Sequence, residues 1–299
     1  MRNIKVITDS CSDLSPDLLE KYDLSYAKMY TIYEGEETRA MLDWTREDAR
    51  KLYDIMRGGN RPTTTQVPVE EFDQVFRKYL EREMDIIYVG CSSKQSGSVN
   101  TAYVVANKLM EEYPNARIAV IDSLNASGGE GVVAIEAAKK VAEGKDFDTV
   151  VKETEAMRNN VLEYVTVHTL DMLKKAGRVK ASKAFIGNLM GVKPILISDA
   201  DGEQTPVKKA RGRQNSLIEC VKLLKENIID PEEQTVYVNH ADCSEEEVTF
   251  LTDLIKKEIP CKDVHVALIG PIIGSSIGPE AFAIFALGKE VTYRVGAGK

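Results

Sequence analysis

The stretch Asp85 to Tyr113, DIIYVGCSSKQSGSVNTAYVVANKLMEEY, decides the fold. Asp85 to Gly90 is a short continuous apolar run, the pattern of a parallel strand covered on both faces. A Ser- and Gly-rich loop follows, and from Ser98 to Tyr113 apolar residues recur three or four apart, which predicts a helix. The same strand signal stands at Asn3 to Thr8 (NIKVIT) and Ala116 to Ile121 (ARIAVI). Helical spacing stands at Glu47 to Arg57, Val69 to Arg82 and Glu130 to Glu143. Strands alternating with such helices imply a doubly wound α/β sheet.

Past Asp146 the texture changes. A helix over 148–160 leads into Val161 to Val167 (VLEYVTV), whose alternation predicts a sheet with one exposed face. Further strands are predicted at Lys193 to Ser198, Gln234 to Asn239, Val264 to Ile269 and Glu290 to Val295. Helices are predicted near Ala181 to Met190, Arg213 to Asn227 and Ser244 to Glu258. The expectation is an α/β protein of two domains: residues 1–160 with a doubly wound parallel sheet, and 161–299 as an α+β mixed-sheet domain. A chain of 299 residues is long enough for two such cores.

Composition narrows the function classes. A net charge of −8 gives no general attraction to phosphate backbones, which argues against nucleic acid as a partner. The chain opens Met1-Arg2-Asn3-Ile4-Lys5 directly into a strand, without a signal region. Its most apolar stretches, Val264 to Ile273 and Ala281 to Leu287, fall short of the roughly 20 residues of a membrane span. Five scattered cysteines, Cys11, Cys91, Cys220, Cys243 and Cys261, form no Cys-x-x-Cys pair and read as a reducing cytoplasm. With three histidines in all, His240 and Cys243 lack the neighbours that would complete a metal site.

In an open parallel sheet ligands bind beyond the carboxyl ends of the strands. There the chain places Ser10, Ser12 and Ser123, read as helix caps, and two denser clusters, Thr63-Thr64-Thr65 and Ser92, Ser93, Ser96. Ser275 and Ser276 add another pair. Hydroxyls and backbone amides can hold a carboxylate or phosphate without a nearby cation. Asp9 and Asp122, at strand ends, are acid/base or metal candidates or else bind the amides of their own turns. There is no P-loop. Gly270, Gly274 and Gly278, four apart around Pro271 and Pro279, predict a loop whose backbone approaches a ligand or another strand. Basic residues cluster at Lys174, Lys175, Arg178, Lys180 and Lys183, and at Lys208, Lys209, Arg211 and Arg213, as solvated faces or a docking surface.

These segments together resemble the DegV family of bacterial fatty-acid-binding proteins, which includes the binding subunits of fatty acid kinase. The resemblance runs through Ile7-Thr8-Asp9-Ser10, Pro62-Thr63-Thr64-Thr65-Gln66, Ser92-Ser93 with Ser96-Gly97, and Val120-Ile121-Asp122-Ser123. It continues through Leu173 to Val179, Val192 to Leu196, Lys208 to Gly212, and Ile269-Gly270-Pro271 to Gly278-Pro279. It implies a two-domain protein holding a palmitate-like long-chain fatty acid in a buried tunnel, with no other cofactor. The carboxyl is then held at the domain junction by Thr63 or Thr64 and Ser92 or Ser93, with Arg178 and Ser276 nearby. Lys209, Arg211 and Arg213 look like the surface that meets an ATP-binding kinase subunit. In this reading the chain is a non-enzymatic carrier that presents the lipid or exchanges it in transient contact with membranes. The rival readings are a dihydroxyacetone-kinase-like transferase using Asp9 or Asp122, and a regulatory module built on the basic clusters.

The chain departs from the family pattern at three points: Ser276 where many members have His, Val67 before Pro68, and Glu280 where glycine is common. Burying on the order of fourteen methylenes at about 0.8 kcal/mol each is worth roughly 11 kcal/mol before ordering costs. A neutral hydrogen bond nets only about 0.5 to 1.5 kcal/mol. The tail therefore dominates affinity, and losing the histidine need not abolish binding.

Overall fold

The computed structural model describes residues 2–180, 185 and 191–295. The first half runs β1 (Ile4–Asp9), α1 (Pro16–Lys21), β2 (Ser25–Ala27), β3 (Tyr30–Tyr33), β4 (Glu36–Arg39), α2 (Arg46–Arg57), β5 (Thr63–Thr64), α3 (Val69–Leu80), β6 (Asp85–Gly90), α4 (Ser98–Glu112), β7 (Ile118–Asp122), α5 (Gly128–Ala142) and α6 (Phe147–Met157). The second runs β8 (Val161–Thr166), α7 (Asp171–Ala176), β9 (Val192–Ser198), β10 (Gln204–Arg211), α8 (Arg213–Asn227), β11 (Thr235–His240), α9 (Glu245–Glu258), β12 (Asp263–Leu268), α10 (Pro271–Ile277) and β13 (Phe282–Leu287).

The apolar runs pair as read. Strands β2-β1-β6-β7 form an all-parallel sheet, and every residue of β6 is buried. Helices α3 and α4 cover one face, where Phe72, Phe76 and Leu109 pack on Ile86 and Tyr88; α5 covers the other, against Val6, Ile87 and Ile121. The second sheet is mixed, in the order β10-β9-β8-β13-β11-β12, antiparallel except for β11 with β12. Helices α8 and α9 pack on its outer face, and its inner face meets the same α5.

Helix α5 thus sits between both sheets, touching β1 and β6 on one side and β8, β11 and β13 on the other. Such a helix must be apolar nearly all round and narrow where the sheets press closest. Gly128 meets that need: a Cβ there would stand 2.7 Å from the Phe285 ring. The apolar core runs without interruption from Val6 through Val133 to Phe285, so the two halves fold onto one another.

Three sequence readings need correction. Residues 290–295 form no strand; the final strand is β13, because the apolar run through Ala286 fills the slot between β8 and β11. Gly270 to Gly278 is not a loop but helix α10, with Pro271 at its first turn and Gly278 (φ 84°) ending it, so glycine and proline punctuate the helix at its ends. Strand β8 alternates but has no exposed face: Leu162 and Tyr164 pack toward α8, while Val161, Glu163 and Val165 face α5 and the first half. The second basic run lies mostly on β10, the edge strand of the mixed sheet, with Lys208, Lys209 and Arg211 exposed where lysine and arginine discourage strand addition. The small antiparallel sheet β4-β3-β5 carries no signal recognised in the sequence. The helix expected over Ala181 to Met190, with Lys183, lies outside the described residues.

Candidate ligand site at the junction of the two sheets

A cavity lies between the halves, with about 850 Å³ of open space when the solvent at its mouth is included. Its apolar wall comes from Val165, Ile269, Ile272, Ile273, Ile277 and Ala283, with Cys11, Met29 and Cys91 from the parallel-sheet side.

Three short elements converge on it. Strand β5 pairs with β3, Thr64 opposite Thr31. Successive strand residues point to opposite sides, so Thr63 is exposed while Thr64 lines the cavity. Helix α10 packs on α2, β3 and β5 of the first half and on α7 of the second, which brings Ser276 to the same wall. Inside α10 a Cβ on Gly274 would stand 2.5 Å from the Tyr53 hydroxyl, itself bonded to the Ile269 carbonyl at 2.9 Å. After α7, Gly177 (φ 70°) turns the chain and delivers Arg178, whose Nε donates to the Gln95 carbonyl at 3.1 Å and whose Nη1 donates to the Ala176 carbonyl.

The six expected ligand contacts separate in space. Thr64, Arg178 and Ser276 line the cavity; Thr63, Ser92 and Ser93 do not. Ser92 is buried and donates to the Gly202 carbonyl at 2.7 Å, while Ser93 is exposed and gives its amide to the Asp122 carboxylate at 3.3 Å. The double-serine loop contributes Gln95, Ser96 and Gly97 to the wall instead. Its Ser92 ties the first half to the second, aided by Gln95 Nε2, which donates to the same Gly202 carbonyl at 3.2 Å.

Most other hydroxyls are already engaged. Ser10 donates to Ala40 (2.7 Å) and accepts from Met29 (3.0 Å), Ser12 donates to Asp9 (2.9 Å), and Thr65 accepts from Tyr30 (3.2 Å). Ser96 Oγ pairs with Ser98 Oγ at 2.9 Å. Among the described residues, the side chains of Thr64 and Ser276 make no hydrogen bond and are turned to the cavity.

The aspartates serve their turns. Asp9 is fully buried and accepts from Tyr88 Oη (2.6 Å), Cys11 N (2.8 Å) and Cys91 N (3.4 Å); burial raises its pKa above the ordinary carboxyl value. Asp122 accepts from the amides of Ser93 and Leu124. The fold brings Cys11 and Cys91, far apart in sequence, within 4.8 Å of a Glu130 oxygen. Burial, and the Asp9 carboxylate after it, push Glu130 well above the ordinary value, and the bond to Cys91 followed by burial pushes Cys11 up, so these groups hold their protons. His240 Nδ1 accepts from the Cys243 amide at 3.2 Å, and burial lowers its pKa to about 4.

The sequence reading missed Glu163. It stands on the inner face of β8 between Val161 and Val165, is 5 % exposed and lines the cavity. One oxygen accepts from Gln204 Nε2 at 2.7 Å; the other has no partner among the described residues. Burial pushes its carboxyl up to about 7. The signal was the alternation of VLEYVTV, which was assigned to a solvent face.

The basic residues expected at a partner surface also differ. Lys209 and Arg211 are exposed, whereas Arg213 is braced by Glu247 (2.7 Å) and the Glu280 carbonyl (2.7 Å). Glu280 itself takes φ 62°, the left-handed conformation that favours glycine.

A parallel sheet and a mixed sheet sharing one helix, with a cavity of mixed polar and apolar lining at their junction, define the class: an α/β protein with a site between its halves. The chain belongs to the DegV family, whose model, described as "Uncharacterised protein, DegV family", matches residues 3–289. It is 33% identical over 288 residues to a DegV domain-containing protein of Clostridium perfringens, covering 96% of this chain and 98% of that one. Among solved structures it is similar to a DegV family protein from Thermus thermophilus described by its fatty acid binding (28% identity, TM-score 0.85, 96% and 100% of the two chains). It is also similar to DegV, a fatty acid binding protein from Bacillus subtilis (26% identity, TM-score 0.82, 97% and 100%). Among the described residues no helix is long and apolar enough to cross a membrane.

Proposed function

We propose that this protein binds one long-chain fatty acid in the junction cavity, with its carboxyl at the mouth and its tail inward, as a carrier. The carrying observation is that the uncommitted hydroxyls of Thr64 and Ser276 face a cavity that Arg178 also lines and whose apolar wall is built by Val165, Ile269, Ile272, Ile273 and Ile277. The mouth is the more open end, since Arg178 is exposed and Thr64 and Ser276 are half-buried, while Cys11, Cys91 and Glu163 are buried. A carboxylate there gains two neutral donors and a guanidinium, and the isoleucine wall takes the methylenes. The solved fatty-acid-binding relatives support the same ligand class.

In this reading the exposed Lys209 and Arg211 on β10 form the face that presents the lipid to an acidic surface of an ATP-binding kinase subunit. A transferase acting through Asp9 or Asp122 gains no support, since both carboxylates are bound to the turns that follow their strands.

Native mass spectrometry of protein purified from cells, followed by titration with hexadecanoic acid, tests the reading. A bound lipid-sized mass, or saturable uptake of one equivalent, is expected. Neither a lipid mass nor uptake of added acid overturns it.

A further inference from the structure

A plain acyl tail asks for an apolar wall along its whole length, and this cavity does not supply one. Glu163 is 5 % exposed, lies among the valines of β8, pairs across the sheet with Phe285, and lines the cavity. Gln204 Nε2 holds one oxygen at 2.7 Å and itself donates to Ser198 Oγ at 3.1 Å; the other oxygen is buried and has no partner among the described residues. Burying a polar atom unpaired is costly, and pressing methylenes against it leaves that cost in place. A hydroxyl removes it whichever protonation state the carboxyl adopts, because it both donates and accepts.

We infer that Glu163 is a specificity-determining residue that selects an acyl chain carrying a hydroxyl group along its buried length. The inference rests on the fatty-acid reading above and specifies it: Thr64, Ser276 and Arg178 take the carboxyl, and Glu163 takes a second polar group on the acyl chain. A leucine in its place would make the wall uniformly apolar.

The test compares octadecanoic acid with a panel of octadecanoic acids hydroxylated once in the distal half of the chain. Binding is measured by displacement of a fluorescent fatty acid from the wild-type protein, Glu163→Leu and Glu163→Gln. In wild type at least one hydroxylated acid should bind about tenfold more tightly than the plain acid, as one good hydrogen bond provides. Glu163→Leu should reverse the order, and Glu163→Gln, which keeps a donor and an acceptor, should retain the preference. Equal binding of plain and hydroxylated acids by wild type, with the ratio unmoved in Glu163→Leu, overturns the inference and leaves the fatty-acid reading standing. Failure of every acid to bind wild type overturns the fatty-acid reading itself. Should circular dichroism show that Glu163→Leu does not fold, the ratio in wild type and Glu163→Gln decides: a preference in both supports the inference, and none in either overturns it.

Discussion

The Asp13 carboxylate accepts the amide of Gly270 at 2.8 Å with one oxygen and the hydroxyl of Ser127 at 2.5 Å with the other. One side chain in the turn after β1 thereby fixes the start of α10, which carries Ser276, and the approach to α5, the helix shared by both sheets. Asp13→Ala leaves a buried amide and a buried hydroxyl unpaired, at about 1–3 kcal/mol each. A loss of roughly 2–4 kcal/mol in urea unfolding is expected, together with weaker fatty-acid binding. Unchanged stability would show that the junction is held elsewhere.

Stability should fall as pH rises from about 4 to about 7. Burial raises the carboxyls of Asp13 and Glu163 from ordinary values of 3.8 and 4.5 to about 7. Across that window the folded protein keeps protons that the unfolded chain has lost, so each group costs stability at roughly 1.4 kcal/mol per pH decade. Above about pH 8 these two groups are ionised in both states and add no slope, while His240, lowered to about 4 by burial, works the other way below its ordinary 6.5. Urea midpoints at several pH values read this directly, and Asp13→Asn with Glu163→Gln should flatten the curve.

Thr64→Val combined with Ser276→Ala removes two hydroxyls that make no other hydrogen bond among the described residues. Fatty-acid affinity should drop about tenfold or more while the unfolding midpoint stays within about 0.5 kcal/mol of wild type. Ser93→Ala, at an exposed side chain outside the cavity, should leave affinity unchanged. The opposite ranking in a titration would move the headgroup site to the double-serine loop.

Gly274→Ala places a methyl against Tyr53, which is fully buried and held by the Ile269 carbonyl. Overpacking of this kind costs about 1–3 kcal/mol. Displacement of α10 should also weaken fatty-acid binding, which separates this variant from a purely structural lesion elsewhere.

Glu280→Gly relieves a left-handed backbone at the cost of the ion pair to His168 at 3.0 Å. Relief is worth about 1 kcal/mol or more and a part-exposed pair less than about 1 kcal/mol. A small net gain in thermal stability is expected, measured by calorimetry above the histidine titration range, where only the long 3.9 Å pair of Glu280 to Arg57 remains to be lost.

The parallel sheet was legible because its signal is local. IKVITD and DIIYVG are buried on both faces, so apolar residues dominate them without strict alternation, and helices such as α2, α4 and α8 declare themselves by apolar spacing three or four apart. Family membership was likewise legible in the order of short motifs, each weak alone. What faces the ligand was not legible. Period two shows that Glu163 and Val165 share a side of β8, but only the packing of α5 and the first half against that side makes it interior. In the same way Ser92 and Ser276 are equivalent hydroxyls in the sequence. The approach of Gly202 consumes one, and the docking of α10 on β5 and α7 leaves the other open to the cavity. Chain-local physics sets which elements form, and long-range packing decides which of their polar atoms remain free to bind.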